Sequence, residues 1–529
     1  GLDFTRSYNT QLSSLRAASS LGTGWTHTFD RRIEYPVPDG ETWVARGHRA
    51  DGKVLTFYRQ PDAAQPWVPS AVTDGDVRER LLQRRDSSGA VIGWRLVAPF
   101  PNTYEDYDAD GFLTGMQDGT DAVVIGNETV GTAKRVAWVR SANGRELIFD
   151  YNLDGTLSGV SGPDGGQWTY SYNSTGLLGG VSFNAVSTRQ YLYAKAGMVP
   201  STTPAWSLTG VVDESGARFA TYRYNAARAK STEHAGGAET YSLINDGSYV
   251  WINTPNGAQE RRGLTTLFGV GRVSSIAVSC QSCSAPYTTI TYSSTTGALK
   301  SKTVNNIQTT FDIDELGFNK KLVEAVGTAN QRTVEQDRHA NWPVPVEVRT
   351  KSANGALQAK QTYTYNTRGQ ILTESRIDPA TSASRTTAMT YCEAADVTNG
   401  VCPLEGLLLS VDGPLVGNAD LTTYAYYLSD HASCATTPAT CPYRKGDLAP
   451  VTNGLGQVTE TSKYDGAGRV LSVKDVNGVT TDMEYNPRGW LTASKVRGPD
   501  DSSESDDVNT RLEYWPTGLV KRVTQPAGA

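Results

Sequence analysis

Short alternating runs of apolar and polar residues, each closed by a turn signal, recur along the chain. One run reads Lys463-Tyr464-Asp465-Gly466-Ala467-Gly468-Arg469-Val470-Leu471, and another Glu484-Tyr485-Asn486-Pro487-Arg488-Gly489-Trp490-Leu491. Each copy holds an aromatic residue, Asp or Asn, two variable positions, Gly, one further residue and an apolar position. Asp and Asn can bond the backbone two residues on, and Gly accepts positive φ. The pattern predicts a β-hairpin turn with a strand on either side. Tyr170/Tyr172, Tyr222/Tyr224 and Tyr363/Tyr365 stand at i, i+2, so each pair shares one face of a strand. Stacking such units lines tyrosines into a stripe. Aromatic packing between adjacent strands is the first reading of that stripe and a sugar-stacking surface the second, with hydroxyls that can stay wet.

The unit repeats. Tyr485 follows Tyr464 by 21 residues, and Tyr172-Asn173-Ser174-Thr175-Gly176 follows Tyr151-Asn152-Leu153-Asp154-Gly155 by the same interval. Tyr191 and Tyr193 come at the next interval without the Gly. Further copies are Tyr107-Asp108-Ala109-Asp110-Gly111, Tyr365-Asn366-Thr367-Arg368-Gly369 and Tyr514-Trp515-Pro516-Thr517-Gly518. Weaker ones sit at Tyr224-Asn225, at Tyr292 with Gly297, and at Ile313-Asp314 with Gly317. A period near 20 residues marks a repeat architecture, here of two short strands and two turns.

Outside the rhythm, residues 1–101 hold Trp25, Trp43, Trp67 and Trp94. Two hairpins are predicted there. Trp43–Arg46 and Val54–Arg59 flank one turn; Arg80–Arg85 and Val91–Val97 flank the other. This stretch reads as a β-rich cap, because a terminal unit lacks an outer neighbour. Residues 102–391 are the repeat region. Residues 392–450, rich in Cys and Pro, read as an excursion from the sheet, and repeats resume over 451–529.

The 529 residues could hold three ordinary domains, but a repeat array escapes that count. Net charge is −6, and no Lys/Arg cluster points to nucleic acid. No apolar run reaches the length of a membrane-spanning helix. The chain begins at Gly1 without a signal pattern, as expected of a processed chain or a piece of a longer one. The six cysteines form three close pairs, Cys280/Cys283, Cys392/Cys402 and Cys434/Cys441. Local disulfides are expected in an oxidising place; free thiols, or zinc at Cys280-Gln-Ser-Cys283, are the alternatives.

Assembled chemistry is sparse. Asp106-Tyr107-Asp108-Ala109-Asp110-Gly111 opens like a calcium loop, yet Gln117 stands where the bidentate Glu belongs. Gly47-His48-Arg49-Ala50-Asp51-Gly52-Lys53 has phosphate-loop spacing, but Val54 replaces the magnesium-holding hydroxyl. The acidic run Asp500 to Asp507 reads as a solvated loop, with weak calcium binding as the alternative. His27, His48, His234, His339 and His431 are scattered, and His27 is expected to pack or hydrogen-bond. No catalytic, cofactor-binding or metal-binding residue is assigned, no cofactor is expected, and the chain is read as a non-enzyme.

The repeats resemble the YD repeat of bacterial RHS proteins and, more distantly, of teneurins. Phe4-Thr5-Arg6-Ser7-Tyr8-Asn9 followed by Leu21-Gly22-Thr23-Gly24-Trp25 resembles the segment that opens the repeat region of the bacterial branch. The resemblance implies an all-β fold of antiparallel hairpins coiling into a hollow shell, or part of one. It implies a secreted, extracellular shell segment of a polymorphic toxin used in bacterial competition. Its partners would be a C-terminal toxin domain not present in this chain and a secretion adaptor. A cell-surface adhesion protein binding a glycan or protein partner is the alternative. The family's Asp-Pro-x-Gly-Leu self-cleavage signature is not matched: Asp378-Pro379 continues Ala380-Thr381. No catalytic residue carries over.

Overall fold

The structure, a computed structural model, describes residues 2–10, 19–37, 42–62, 64–131, 133–226, 228–279, 287–500 and 503–526. One antiparallel sheet of 36 strands runs from Arg80–Arg85 to Val520–Thr524, each strand paired with the next in sequence. Val520–Thr524 pairs in register with Val508–Tyr514 and is exposed at every position. Among the described residues no register joins it to the first strand, so the sheet is an open ribbon.

The repeat motif makes the turns as its chemistry dictates. Asp465 Oδ1 accepts from the backbone N–H of Ala467 at 3.0 Å and of Arg469 at 2.9 Å. Asn173, Asn366 and Asn486 accept from the residues two and four further on in the same way. One side-chain oxygen thus satisfies two turn donors that the strand ladder leaves over. The glycine three residues after the Asp or Asn has positive φ in each such copy, from Gly176 at 76° to Gly468 at 90°.

Residues 2–69 form the cap: the pair Arg6–Tyr8 with Trp25–His27, and a four-stranded sheet from Arg32–Glu34 to Val68–Pro69. The second predicted hairpin, Arg80–Arg85 with Val91–Val97, belongs instead to the ribbon. Cap residues Leu21, Trp25, Phe29, Ile33, Phe57 and Trp67 share one buried core with ribbon residues from Leu81 to Ala220. Trp67 pairs with Leu81 through the backbone, while the Tyr8 hydroxyl donates to Trp206 O at 2.7 Å. The ribbon that shares this core, from Leu81 to Ala220, holds thirteen strands, ending at Arg218–Asn225. Laid flat, thirteen strands would span roughly 58 Å. A body the size of the cap is only about 28 Å across. The ribbon therefore curves around the cap, and the cap-facing side is its concave side.

A second set of contacts shows the ribbon returning to lie beside itself. Asp76 pairs with Arg272, and Arg78 donates to Thr296 O at 2.9 Å. Pro101 abuts Gly369, and Thr120 abuts Gly406. Arg145 meets Asp447, Asp164 meets Arg469 at 2.7 Å, and Glu214 meets Arg488 at 3.9 Å. Contacts advance in the same direction along both stretches. That is the pattern of a spiral, whose successive windings meet along a seam of turns.

Between Cys392 and Pro450 the sheet continues through Leu408–Asp412 and Thr422–Tyr426, the latter paired with Leu448–Thr452. The expected excursion is thus two insertions on an unbroken ribbon. One carries the short helix Ala394–Thr398, the other the 3-10 turns Ala432–Ala435 and Pro438–Thr440. Disulfides Cys392–Cys402 and Cys434–Cys441 close the two insertions, as the local pairing anticipated. Cys280 and Cys283 lie outside the described residues.

Candidate functional site: the concave tyrosine face and the winding seam

The repeat tyrosines build the concave face. Tyr170 and Tyr172 point toward the cap, where Tyr170 lies against Phe4 and the Tyr172 hydroxyl reaches Ser20 O at 3.1 Å. The same hydroxyl donates to Leu157 O at 2.9 Å, in the hairpin before its own. This second bond repeats. Tyr151 donates to Val136 O, Tyr193 to Leu178 O, Tyr224 to Leu208 O and Tyr292 to Val273 O. Tyr365 donates to Pro345 O, Tyr426 to Leu408 O, Tyr464 to Leu448 O and Tyr514 to Leu491 O. The hydroxyls are therefore staples between successive units, not the wet tips expected from sequence. Tyr485 and Tyr391 are exceptions, meeting only Met483 Sδ and Met389 Sδ at 3.8 Å. Burial pushes the phenols of Tyr224, Tyr365 and Tyr464 up to about 12, because the charged phenolate is poorly solvated there.

The opposite, convex face carries paired hydroxyls. Thr364 and Thr373 meet at 2.7 Å, as do Ser375 and Thr386. The alternation of the strands thus separates an aromatic-aliphatic inner face from a hydroxyl-rich outer one.

The N-terminal motif fills the first part of the concavity. Trp25 packs on Tyr8 and Tyr191 and donates from Nε1 to the Tyr193 hydroxyl at 2.8 Å. Gly22 sits at φ 83°, and a Cβ there would lie 2.8 Å from Gly176 O, so the cap reaches the repeat turn only with glycine at that place. His27 is buried against Phe4 and Phe149, with Ser20 Oγ 3.3 Å from its Nε2, a packing role as expected. Glu105 locks cap to ribbon: it accepts from Arg49 at 2.6 and 2.7 Å, from Arg31 and from the Tyr107 hydroxyl. Burial alone would push its carboxyl up; the Arg49 and Arg31 guanidiniums outweigh that and hold it below the usual carboxylate range.

Beyond Tyr222 the core shared with the described cap ends. Leu243, Ile252, Ile276, Phe311, Leu322 and Val348 lie on the concave face past that point and are only half-buried. The buried side chains between Arg228 and Tyr391 are few among the described residues: Asp314, Phe318, Thr333 and Pro343.

The seam was not foreseen. Arg145 grips Asp447 bidentately, both bonds 2.8 Å, and its Nε donates to Gly466 O at 3.1 Å. Both side chains are less than a tenth exposed. Two consecutive repeat turns, 463–469 and 484–490, therefore carry the second winding's grip on the first. The departures from the tyrosine-Asx-Gly core at Arg469 and Arg488 were the available signal, since neither position is needed to make a hairpin.

The other candidates resolve into structural roles. Asp106 pairs with Arg95 at 2.7 and 2.8 Å, while Asp108 and the exposed Asp110 both pair with Lys134, at 3.6 Å for Asp110, so an ammonium sits where a calcium loop would hold its ion. No grouping of three metal-binding side chains occurs among the described residues. Gly47 to Val54 is a hairpin, with Gly52 N donating to Arg49 O. The acidic stretch is not simply solvated: the Asp507 side chain is buried, accepting from Arg497 and from Gly498 N at 3.0 Å. His339 stacks on Trp342 with ring centres 4.2 Å apart, and His431 contacts Ser433 at 2.9 Å. His48 lies 3.4 Å from Glu34, and His234 lies 3.4 Å from Glu239. Among the described residues no helix is long and apolar enough to cross a membrane.

Residues 464–502 match the family model described as RHS Repeat, and residues 1–57 match one described as Domain of unknown function (DUF6531). No curated protein matches the chain. Among solved structures, the crystal structure of TcdB2-TccC3-Cdc42 aligns with 93% of this chain and 27% of its own, at 14% identity and a TM-score of 0.49. The Photorhabdus luminescens Tc holotoxin pore aligns with 96% of this chain and 35% of its own, at 10% identity and a TM-score of 0.32. The chain thus spans about a third or less of those structures' chains.

Proposed function

As the chain is an RHS/YD-repeat protein, we propose that it is wall from the shell of a secreted bacterial RHS toxin. Its tyrosine face looks onto a lumen that holds a C-terminal toxic polypeptide away from the cell that makes it. The observation that carries this reading is the concave face beyond Ala220. It is broad, half-buried and outside the core that the described residues of the cap share, and it lies in a ribbon whose windings meet along a seam. Such a wall confines its contents without chemistry of its own. The hydroxyl staples suit that task, because they join each unit to the one before it. A secretion adaptor completes the delivery route in this reading.

The test is limited proteolysis of the full reading frame that contains this chain. The C-terminal segment should resist protease in the wild type. It should become cleavable when the seam is opened by Arg145→Ala with Asp447→Ala. Equal cleavage rates in wild type and variant would end the reading.

Surface binding of a glycan has one observation in its favour, and it lies on the convex face. Tyr249 is 38% exposed there, two residues from Trp251, whose Nε1 donates to Asp246 at 3.0 Å, and Tyr287, three strands further along the same face, is 50% exposed. A glycan array probed with wild type and Trp251→Ala separates this reading from the first.

A further inference from the structure

A cavity of about 270 Å³ lies where the cap and both windings meet. Arg6 reaches it from the cap, Arg189 and Glu214 from the first winding, and Arg488 from the second. Its lining therefore has three guanidiniums and one carboxylate. Glu214 is shared, at 3.2 Å from Arg189 and 3.9 Å from Arg488. Among the described residues no carboxylate pairs with Arg6; its Nη1 donates to the Tyr170 hydroxyl at 3.3 Å. The Nε atoms of Arg6 and Arg189 are both buried and have no hydrogen-bond partner. Those two atoms have essentially no accessible surface, so any contact with the cavity is left to the Nη ends of the arginines.

The walls between the arginines are aromatic. Trp168 and Phe183 pack with ring centres 4.8 Å apart, and the Arg488 guanidinium lies 5.2 Å from the Trp490 ring. Trp168, Val181, Phe183 and Arg189 all stand on the tyrosine side of the ribbon. The cavity thus opens on the concave face, at its edge.

We propose that this cavity is an oxyanion site, built to receive a carboxylate or phosphate group. Guanidinium forks match the planar spread of a carboxylate, and the flanking rings take an apolar stem. An anion seated there balances the excess of arginine over carboxylate in the lining. It also touches cap, first winding and second winding together, so occupancy staples the seam. The anion comes either from an acidic side chain of a polypeptide beside the concave face or from a small solute.

The experiment is isothermal titration of the purified chain with inorganic phosphate, glutarate and a blocked hexapeptide bearing one glutamate. Each titration is run against chloride of equal ionic strength. Saturable binding is expected with at least one probe. A preference for the peptide marks a polypeptide source, and a preference for phosphate or glutarate marks a solute. Arg189→Gln should weaken binding about tenfold. Glu214→Gln removes the internal competitor and should tighten it by a similar factor, an effect that misfolding would not produce. Absence of saturable binding, or identical affinities in wild type and Glu214→Gln, overturns the assignment.

Discussion

Gly468 and Gly155 occupy the same place in their repeats and have nearly the same backbone, φ 90° and 85°. Replacing each by alanine separates the hairpin from the seam. At Gly155 an added Cβ meets nothing within 4 Å. Gly155→Ala therefore carries only the left-handed backbone penalty of roughly 1–2 kcal/mol, eased by the reduced freedom of the unfolded chain. At Gly468 the Cβ would lie 2.9 Å from Arg145 Cζ and 3.1 Å from its Nε and Nη2. Arg145 cannot retreat without loosening its bonds to Asp447 and Gly466. Breaking a buried ion pair outright costs about 3–5 kcal/mol, so partial displacement should add about 2 kcal/mol. The expected losses are about 1 kcal/mol for Gly155→Ala and about 3 kcal/mol for Gly468→Ala. Urea unfolding followed by tryptophan fluorescence measures both. In an Arg145→Ala/Asp447→Ala background the excess at Gly468 should vanish, since the obstructing guanidinium and its partner are gone. Equal losses in the wild-type background would refute the seam packing. So would an excess that survives in the double variant.

Tyr464→Phe removes the donor to Leu448 O and should cost about 0.5–1.5 kcal/mol, whereas Tyr485→Phe should cost less than about 0.5 kcal/mol; equal melting temperatures for the two variants would count against the staples. The phenols of Tyr224, Tyr365 and Tyr464 sit near 12 against an ordinary 10. Their protonated forms thus stabilise the fold fully below pH 10, and that contribution is lost as pH rises through 12; phenolate titration by ultraviolet absorbance should show a late class, and a single step at the ordinary value would contradict it. Glu105 has the opposite sign: its lowered carboxyl stabilises the cap above the ordinary carboxylate range and loses that effect as pH falls through the lowered value, so Glu105→Gln should flatten the acid limb of a stability-against-pH curve. Peptide mapping without reductant should recover Cys392–Cys402 and Cys434–Cys441 as linked pairs, and opening either should cost about 2–3 kcal/mol; six alkylatable thiols would show the pairing wrong.

The strands and turns were legible because one short code repeats. A tyrosine, an Asp or Asn and a glycine at fixed spacing determine a hairpin using only contacts within some six residues. The hydroxyl staples were half-legible. Tyr464 and Leu448 are 16 residues apart, and Tyr151 and Val136 are 15 apart. The offset runs from 15 residues to 23 at Tyr514 and Leu491, because the loops between units vary in length, and a tyrosine in a sequence does not declare which carbonyl it meets. The burial of Asp507 was hidden for another reason. A run of acids looks solvated, and only the return of Arg497 and Lys495 from the preceding strand shows the loop folded onto its own basic neighbours.

The seam was beyond the repeat altogether, and the reason is geometric. Partners across it are separated by 196 residues at Asp76–Arg272, 218 at Arg78–Thr296, 302 at Arg145–Asp447 and 305 at Asp164–Arg469. These separations do not hold to one value: they already grow from Asp76–Arg272 to Pro101–Gly369, ahead of Cys392, and the insertions after Cys392 and Tyr426 add further chain without adding width to the ribbon. A sequence period fixes the rise from strand to strand; the number of strands per winding depends on curvature, which the cap imposes through contacts from Leu81 to Ala220. The coil is thus a property of the cap and the insertions as much as of the repeat. The arginines that hold it, Arg145, Arg469 and Arg488, sit in turns whose own geometry would tolerate many other residues. Specificity for one spiral over other coilings of the same ribbon therefore resides in residues that the hairpin code leaves free.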